Sequence, residues 1–184
     1  MKKLKHIVVV DVESTCWEGR PPRGQKSEII QIGLCTIDIK RLMKIDKRSI
    51  LIRPKNSEVS EFCTKLTGIS NDSFNANSVG YRVAMGILKN QYFTNMNPWA
   101  SWGDYDKNMF EKMSDLRHSS YPFGSRHINV KTLFAISRGL NREVGMEKAF
   151  ELTGKKMEGC HHDGADDAWN VATILIDILE SART

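Results

Sequence analysis

Long apolar runs are missing from this sequence. The strongest near the start, Ile7 to Val10, is too short for a membrane-spanning helix or for the core of a signal peptide. That shortage predicts a cytoplasmic chain without a membrane partner. Cysteine is scarce, and Cys16, Cys35, Cys63 and Cys160 stand apart without C-x-x-C spacing. Neither a structural zinc site nor a disulfide framework is suggested, and reduced thiols are expected. Internal repeats and low-complexity tracts are absent too. Excess charge of one sign is small: the net charge is +5, which permits a polyanionic partner without demanding one.

What is present is an ordinary globular composition. Hydrophobic residues make up 40% and charged residues 27% of 184 positions, too apolar for disorder and long enough for one sizeable core. One domain over residues 1–184 is the expectation. His6 to Val12 is a β-branched apolar run behind Lys2, Lys3 and Lys5, which suits a central strand buried on both faces. The prolines, arginines and glycine of Arg20 to Gly24 predict a mobile loop after it. Strands over residues 28–38 and 43–54 complete a three-strand antiparallel meander. Helices are expected over residues 60–67 and 79–92, then a short strand over 98–102. Further helices are expected over 105–116, 131–138 and 146–152. The clearest helix runs from Asp163 to Ser181, where Ala168, Val171, Ala172, Leu175, Ile178 and Leu179 form one apolar stripe. Strands first and helices later, with a parallel strand near residue 100, predict an α/β fold in which helices cover a mixed sheet.

Asp11-Val12-Glu13 closes the first strand. Residues two apart share a face, so both carboxylates point together and repel unless a cation lies between them. Oxygen ligands suit magnesium or manganese, which commonly share their coordination shell with substrate phosphate. Taken alone, the pair reads more readily as a strand end emerging into solvent. Ser101-Trp102-Gly103-Asp104-Tyr105-Asp106 lies where a strand becomes a helix. Asp106 is the metal candidate there, although it too could serve as a cap, and Asp104 reads as a helix cap. The third cluster, Cys160 to Asp167, opens the last helix. Its packed stripe would aim Asp167, while Gly159 and Gly164 predict a movable loop carrying His161 and His162. The competing readings are a surface turn or an adventitious metal pair with Cys160 for the histidines. For Asp163, Asp166 and Asp167 the alternative is a favourable place on the helix dipole.

In this order the three clusters resemble the DEDDh 3′→5′ exonucleases, a family that includes oligoribonuclease and polymerase proofreading subunits, and the resemblance covers nearly the whole chain. It implies a ribonuclease-H-like fold: a mixed five-stranded sheet, with a three-strand antiparallel meander plus parallel strands, flanked by helices. It also implies two Mg2+ or Mn2+ ions held by the acids. Residue by residue it assigns Asp11 and Glu13 to the first motif, Asp106 to the second, and His162 and Asp167 to the third. His162 to Asp167 has the offset of the histidine branch, and no tyrosine lies four residues before Asp167 as the tyrosine branch would need. His161 and Asp166 are second choices. The segments Ser101 to Asp106 and Glu61 to Ile69 are similar to the branch that trims small or structured RNAs. Eukaryotic members of that branch carry an added nucleic-acid-binding domain, which is not expected within these 184 residues.

Phosphodiester hydrolysis needs a nucleophile and stabilised oxygens, and two metal ions about 4 Å apart can supply both. On that scheme Asp11 bridges the ions, Glu13 and Asp167 complete the one that activates water, and Asp106 supports the other. His162 removes the proton, a task suited to an unperturbed pKa of about 6.5. Ser14 and Thr15 are turn formers by position and substrate contacts by resemblance. Phe62 and Leu66 are wedge candidates for the terminal base, with core packing an equal alternative for Phe62 and a stronger one for Leu66. Trp17 is a candidate stacking residue, whereas Trp99 and Trp169 are assigned to packing. Arg20, Arg23 and Lys65 are phosphate candidates against a default of solvated charge. The expected partner is a nucleic acid with a free 3′ end, RNA favoured over DNA, and the chain is expected as a monomer or homodimer. A DNA exonuclease of repair or proofreading type is the competing enzyme. The other alternative is a binding module with structural acids, against which the five intact key positions count.

Overall fold

The computed structural model describes residues 4–183, so Lys2 and Lys3 of the basic start lie outside the described residues. Strand β1 (His6–Ser14) sits at the centre of a five-stranded sheet of order β3-β2-β1-β4-β5. Its unbroken β-branched run is buried on both faces, as a central strand requires. It pairs antiparallel with β2 (Ile29–Asp38), which pairs antiparallel with β3 (Met43–Leu51). On its other side β1 pairs parallel with β4 (Trp99–Ser101), and β4 pairs parallel with β5 (His127–Asn129). The expected meander plus parallel strands is therefore present. Strand β5 has no counterpart in the segment-by-segment reading, because three partly exposed residues carry no alternation to read.

The helices are α1 (Glu61–Thr67), α2 (Tyr81–Gln91), α3 (Tyr105–Arg117), α4 (Val130–Ser137), α5 (Met146–Thr153) and α6 (Gly164–Ser181). A short 3-10 turn covers Asn71–Ser73. The helix expected from residue 79 starts two residues later, because Val79 is held in a parallel bridge to Ile52. None of the helices among the described residues is long and apolar enough to cross a membrane.

Alternation along β1 sorts its side chains between two layers. Val8, Val10 and Val12 pack with residues of α2 and α3, whereas Ile7 and Val9 pack with α4, α5 and α6. Asp11 and Glu13 continue the odd-numbered set, so the strand carries both carboxylates to the α6 face. Helix α6 is fixed mainly by its apolar stripe. Val171, Ile174 and Leu175 are almost fully enclosed, each stabilising by roughly 1.5–3 kcal/mol. Its cap, in which Asp163 accepts from the amides of Ala165 and Asp166, contributes about 1 kcal/mol. The stripe thus decides where the first turn of α6 points.

Candidate active site

The first turn of α6 reaches β1 because two glycines let it. Gly33 lies opposite Asp11 in the β1–β2 ladder. A Cβ there would stand 1.8 Å from the carbonyl oxygen of Gly164, so the helix start and the strand touch backbone to backbone. Gln31 ties the same junction, accepting from the Gly164 amide at 2.8 Å and donating to Asp163 Oδ2 at 3.1 Å. Gly164 is consequently a buried contact and not the hinge its position suggested. The result is convergence: Asp11, Glu13 and Asp167 each place one oxygen within 4.8 Å of the others.

Asp106 comes from the first turn of α3 and is only 3% exposed. Its Oδ1 accepts from the amide of Val12 at 2.9 Å, between the two acids of β1. Asp106 stands beside the trio and outside its 4.8 Å circle. Asp104 does not cap α3 through its side chain, contrary to expectation. Its carboxylate instead accepts from Asn129 Nδ2 at 3.1 Å and lies 3.8 Å from His127 Nδ1.

Crowding leaves these carboxyls hard to ionise together. Burial pushes Asp11 well above the ordinary carboxyl range, and Asp106, Asp167, Glu13 and Asp163 add to it. Burial, then the charges of Asp167 and Asp106, raises Glu13 to about 8. Asp106 rises to about 7 through burial, opposed by the Val12 amide and by Ser101. Desolvation and mutual repulsion act in the same direction, and a divalent cation would relieve both.

The histidines close the site. His162 takes a left-handed backbone, φ 68°, which lets its amide donate to Asp167 Oδ2 at 2.9 Å. Its Nδ1 lies 4.0 Å from Glu13 Oε1. His161, ranked second from sequence, also reaches the acids: its Nδ1 is 3.0 and 3.1 Å from the two oxygens of Asp167. The two rings stack at 4.1 Å. Burial lowers the pKa of His162 and the neighbouring His161 lowers it further, so a neutral imidazole prevails near neutral pH. Asp166 has another task, pairing with Lys47 and accepting from the Cys160 amide at 2.7 Å. Gly159 makes room for it, since a Cβ would meet that carboxylate at 2.2 Å.

Around this centre the remaining candidates divide. Ser14 is buried and its hydroxyl shares hydrogen bonds with Tyr105 at 2.6 Å and Ser27 at 3.0 Å. Thr15 is fully enclosed, accepting from the Glu28 amide at 3.0 Å. Helix α1 is anchored beside them, with the Cys63 thiol 3.5 Å from the Ser14 carbonyl and Ser60 donating to the Cys16 carbonyl at 2.6 Å. Cys63 and Thr67 face inward, leaving Phe62 and Leu66 40% and 39% exposed and Lys65 in solvent. The core-packing alternative for Phe62 and Leu66 is not realised. Trp99 stacks on Phe123 at 4.0 Å, and Trp169 lies under Lys44 Nζ at 3.9 Å. Trp17 is partly buried, while Arg20 and Arg23 are exposed. Sequence reasoning missed Gln31 and Gly33; an isolated glycine inside a strand was the available signal of a close backbone approach.

A mixed five-stranded sheet with acids at the end of its central strand and on a helix packed across it defines a ribonuclease-H-like fold. The family profile described as RNase_T, Exonuclease, matches residues 8–175, and the chain belongs to that exonuclease family. Human 3′-5′ exoribonuclease 1 is 27% identical over 187 residues, which cover 95% of this chain and 52% of the relative. The chain spans about half the length of the curated exoribonucleases it matches. A solved nuclease domain of 3′hExo, described as a DEDDh family member bound to rAMP, superposes with a TM-score of 0.82 at 24% identity, covering 97% of this chain and 93% of that one. A structure described as 3′-end specific recognition of histone mRNA stem-loop by 3′-exonuclease gives a TM-score of 0.85 at 24% identity, over 97% and 64% of the two chains.

Proposed function

We propose that this chain is a metal-dependent 3′→5′ exonuclease that releases nucleoside monophosphates from the 3′ end of a nucleic acid, RNA in preference to DNA. The observation that carries the proposal is the meeting of Asp11, Glu13, Asp106 and Asp167 from three separate elements, with ionisation suppressed at the first three. The preference for RNA is supported by the human relative, named an exoribonuclease. It is also supported by the stem-loop complex of a structural neighbour.

The donor set fits two Mg2+ or Mn2+ ions, because it offers hard carboxylate oxygens and excess negative potential. Asp11, Glu13 and Asp167 would hold one ion, and Asp106 together with Asp11 the other. When bound, the ions supply positive charge that offsets the charge on the attacking and leaving oxygens of an in-line displacement. The chain's own residues do the rest. His162, neutral near pH 7, accepts the proton of the attacking water as general base. Its left-handed backbone and its amide bond to Asp167 hold it at the rim. Phe62 and Leu66 present apolar surface to the terminal base, and Lys65 presents charge to a phosphate. Ser14 and Thr15 fix the end of β1 that the substrate approaches.

The reading extends to one domain over residues 1–184, monomeric or homodimeric. A cytoplasmic location agrees with the scattered cysteines. The test is degradation of single-stranded RNA and DNA, each labelled in turn at the 5′ and the 3′ end, with Mn2+, Mg2+ or EDTA. A 5′-labelled RNA ladder that shortens one nucleotide at a time, in either ion but not in EDTA, is expected. No product from either polymer would favour a binding module, and faster loss of DNA would favour the repair or proofreading class.

A further inference from the structure

A concave feature lies on the sheet face opposite α6. It is a cavity of about 660 Å³ between the ends of β2 and β3, the start of α2 and the end of α3, within the size range that small ligands occupy. Ile29, Ile52 and Met113 contribute an apolar floor. Five cationic or titratable bases, Arg53, Lys55, Arg82, Arg117 and His118, line the remainder, and no aspartate or glutamate is among the lining residues.

Arg53 and Arg82 are held by backbone carbonyls but not neutralised. Arg82 donates to the carbonyls of Arg117 and His118 at 3.3 and 3.4 Å, and Arg53 donates to those of Phe74 and Asn75 at 2.6 and 3.3 Å. Among the described residues none of Arg53, Lys55, Arg82 and His118 pairs with a carboxylate. Arg117 is paired, with the buried Glu28. Glu28 also accepts from the successive amides of Lys55, Asn56 and Ser57 at 3.0, 2.8 and 3.0 Å. One wall of the cavity therefore already satisfies an anion, while the charge on the other walls faces solvent.

The cavity is coupled to the acidic strand end. Glu28 donates its amide to Thr15 Oγ1 at 3.0 Å, and Ile29 of the floor is the ladder partner of Ser14. The two sites therefore adjoin at the end of the sheet where β1 stops and β2 starts, the acids toward α6 and the cations Arg53, Lys55 and Arg82 on the opposite face. A strand whose 3′ end enters the acidic site can carry its upstream phosphates round that end.

We propose that this cavity is a second, phosphate-ester site that binds an upstream nucleotide of the polynucleotide chain. The inference rests on the exonuclease reading for its choice of ligand. A free nucleoside monophosphate offers the same chemistry, with its base on the apolar floor, and the test separates the two sources.

Binding is measured by fluorescence anisotropy in EDTA, where hydrolysis does not interfere, using a dinucleotide, a long single-stranded RNA and adenosine monophosphate. The variants are Lys55→Glu, at an exposed side chain, and Lys55→Glu combined with Arg82→Gln, with folding checked by thermal melting. Affinity for the long RNA should fall about tenfold in the single variant, and the salt slope should drop by about 0.7 for each phosphate no longer neutralised. Dinucleotide affinity and its hydrolysis in Mn2+ should stay as in the wild type. Weakened binding of adenosine monophosphate with unchanged RNA affinity keeps the site and assigns it to the free nucleotide. Unchanged affinity for both ligands in folded Lys55→Glu overturns the proposal. A protein that hydrolyses nothing, yet binds RNA more weakly on Lys55→Glu, removes the exonuclease reading and leaves the cavity's role standing.

Discussion

Asp11, Glu13 and Asp106 are individually unremarkable carboxyls that the fold forces to share one low-dielectric corner. Their elevated pKa values set a sign for the pH dependence of stability. A carboxyl harder to ionise in the fold than in the unfolded chain favours folding while protonated, and that contribution is lost as pH rises through its folded value. For Glu13 the loss runs from about 4.5 to about 8, and for Asp106 from about 3.8 to about 7. Thermal melting in EDTA should therefore show a melting temperature that falls from about pH 5 to about pH 8. Mn2+ should restore more of it at the higher pH, and a response equal at both ends would contradict this picture. His162→Ala should slow hydrolysis by about 10²–10⁴-fold while calorimetry shows Mn2+ affinity retained. His161→Ala should cost less, and a reversed order would hand the proton transfer to His161, whose ring also lies on Asp167. At this scale the sequence was informative where the relation is local. Asp11 and Glu13 share a face because of strand alternation, and Asp167 is aimed by its own helix. The Asp106 bond to the Val12 amide spans 94 positions and has no local signature.

Among elements, the contact that assembles the site is the one between β2 and the start of α6. Gly33→Ala places a methyl 1.8 Å from the Gly164 carbonyl, and neither backbone can yield without moving the helix. Overpacking of this kind costs about 1–3 kcal/mol, and backbone contact puts this case at the upper end. Urea unfolding should register that loss, and Mn2+ affinity should fall with it as Asp167 withdraws from Asp11. Wild-type stability in Gly33→Ala would mean that the helix start is not seated as described. Helix α6 was legible because its stripe runs through the whole element, as was β1 because its run is unbroken. Strand β5 escaped because it is three residues long, and the close approach at Gly33 escaped because it depends on a residue 131 positions away. The same limit explains Asp104, whose helix-start position predicts a cap but whose carboxylate is drawn to Asn129 of β5.

For the molecule as a whole, the sheet separates two kinds of charge. The α6 face gathers Asp11, Glu13 and Asp167, and the cavity between α2 and α3 is lined by Arg53, Lys55 and Arg82, which pair with no carboxylate among the described residues. A modest net charge of +5 conceals this division, which is why composition alone barely favoured a nucleic acid partner. The most direct measurement of the central claim compares wild type with Asp11→Asn, a near-isosteric change, in hydrolysis of single-stranded RNA with saturating Mn2+. Removing the Asp11 carboxylate should lower the rate by about a hundredfold or more, roughly 3 kcal/mol of barrier, with melting behaviour in EDTA preserved or improved. Turnover like the wild type's in the folded Asp11→Asn protein would contradict the account, because the converged acids would then not be what drives the reaction.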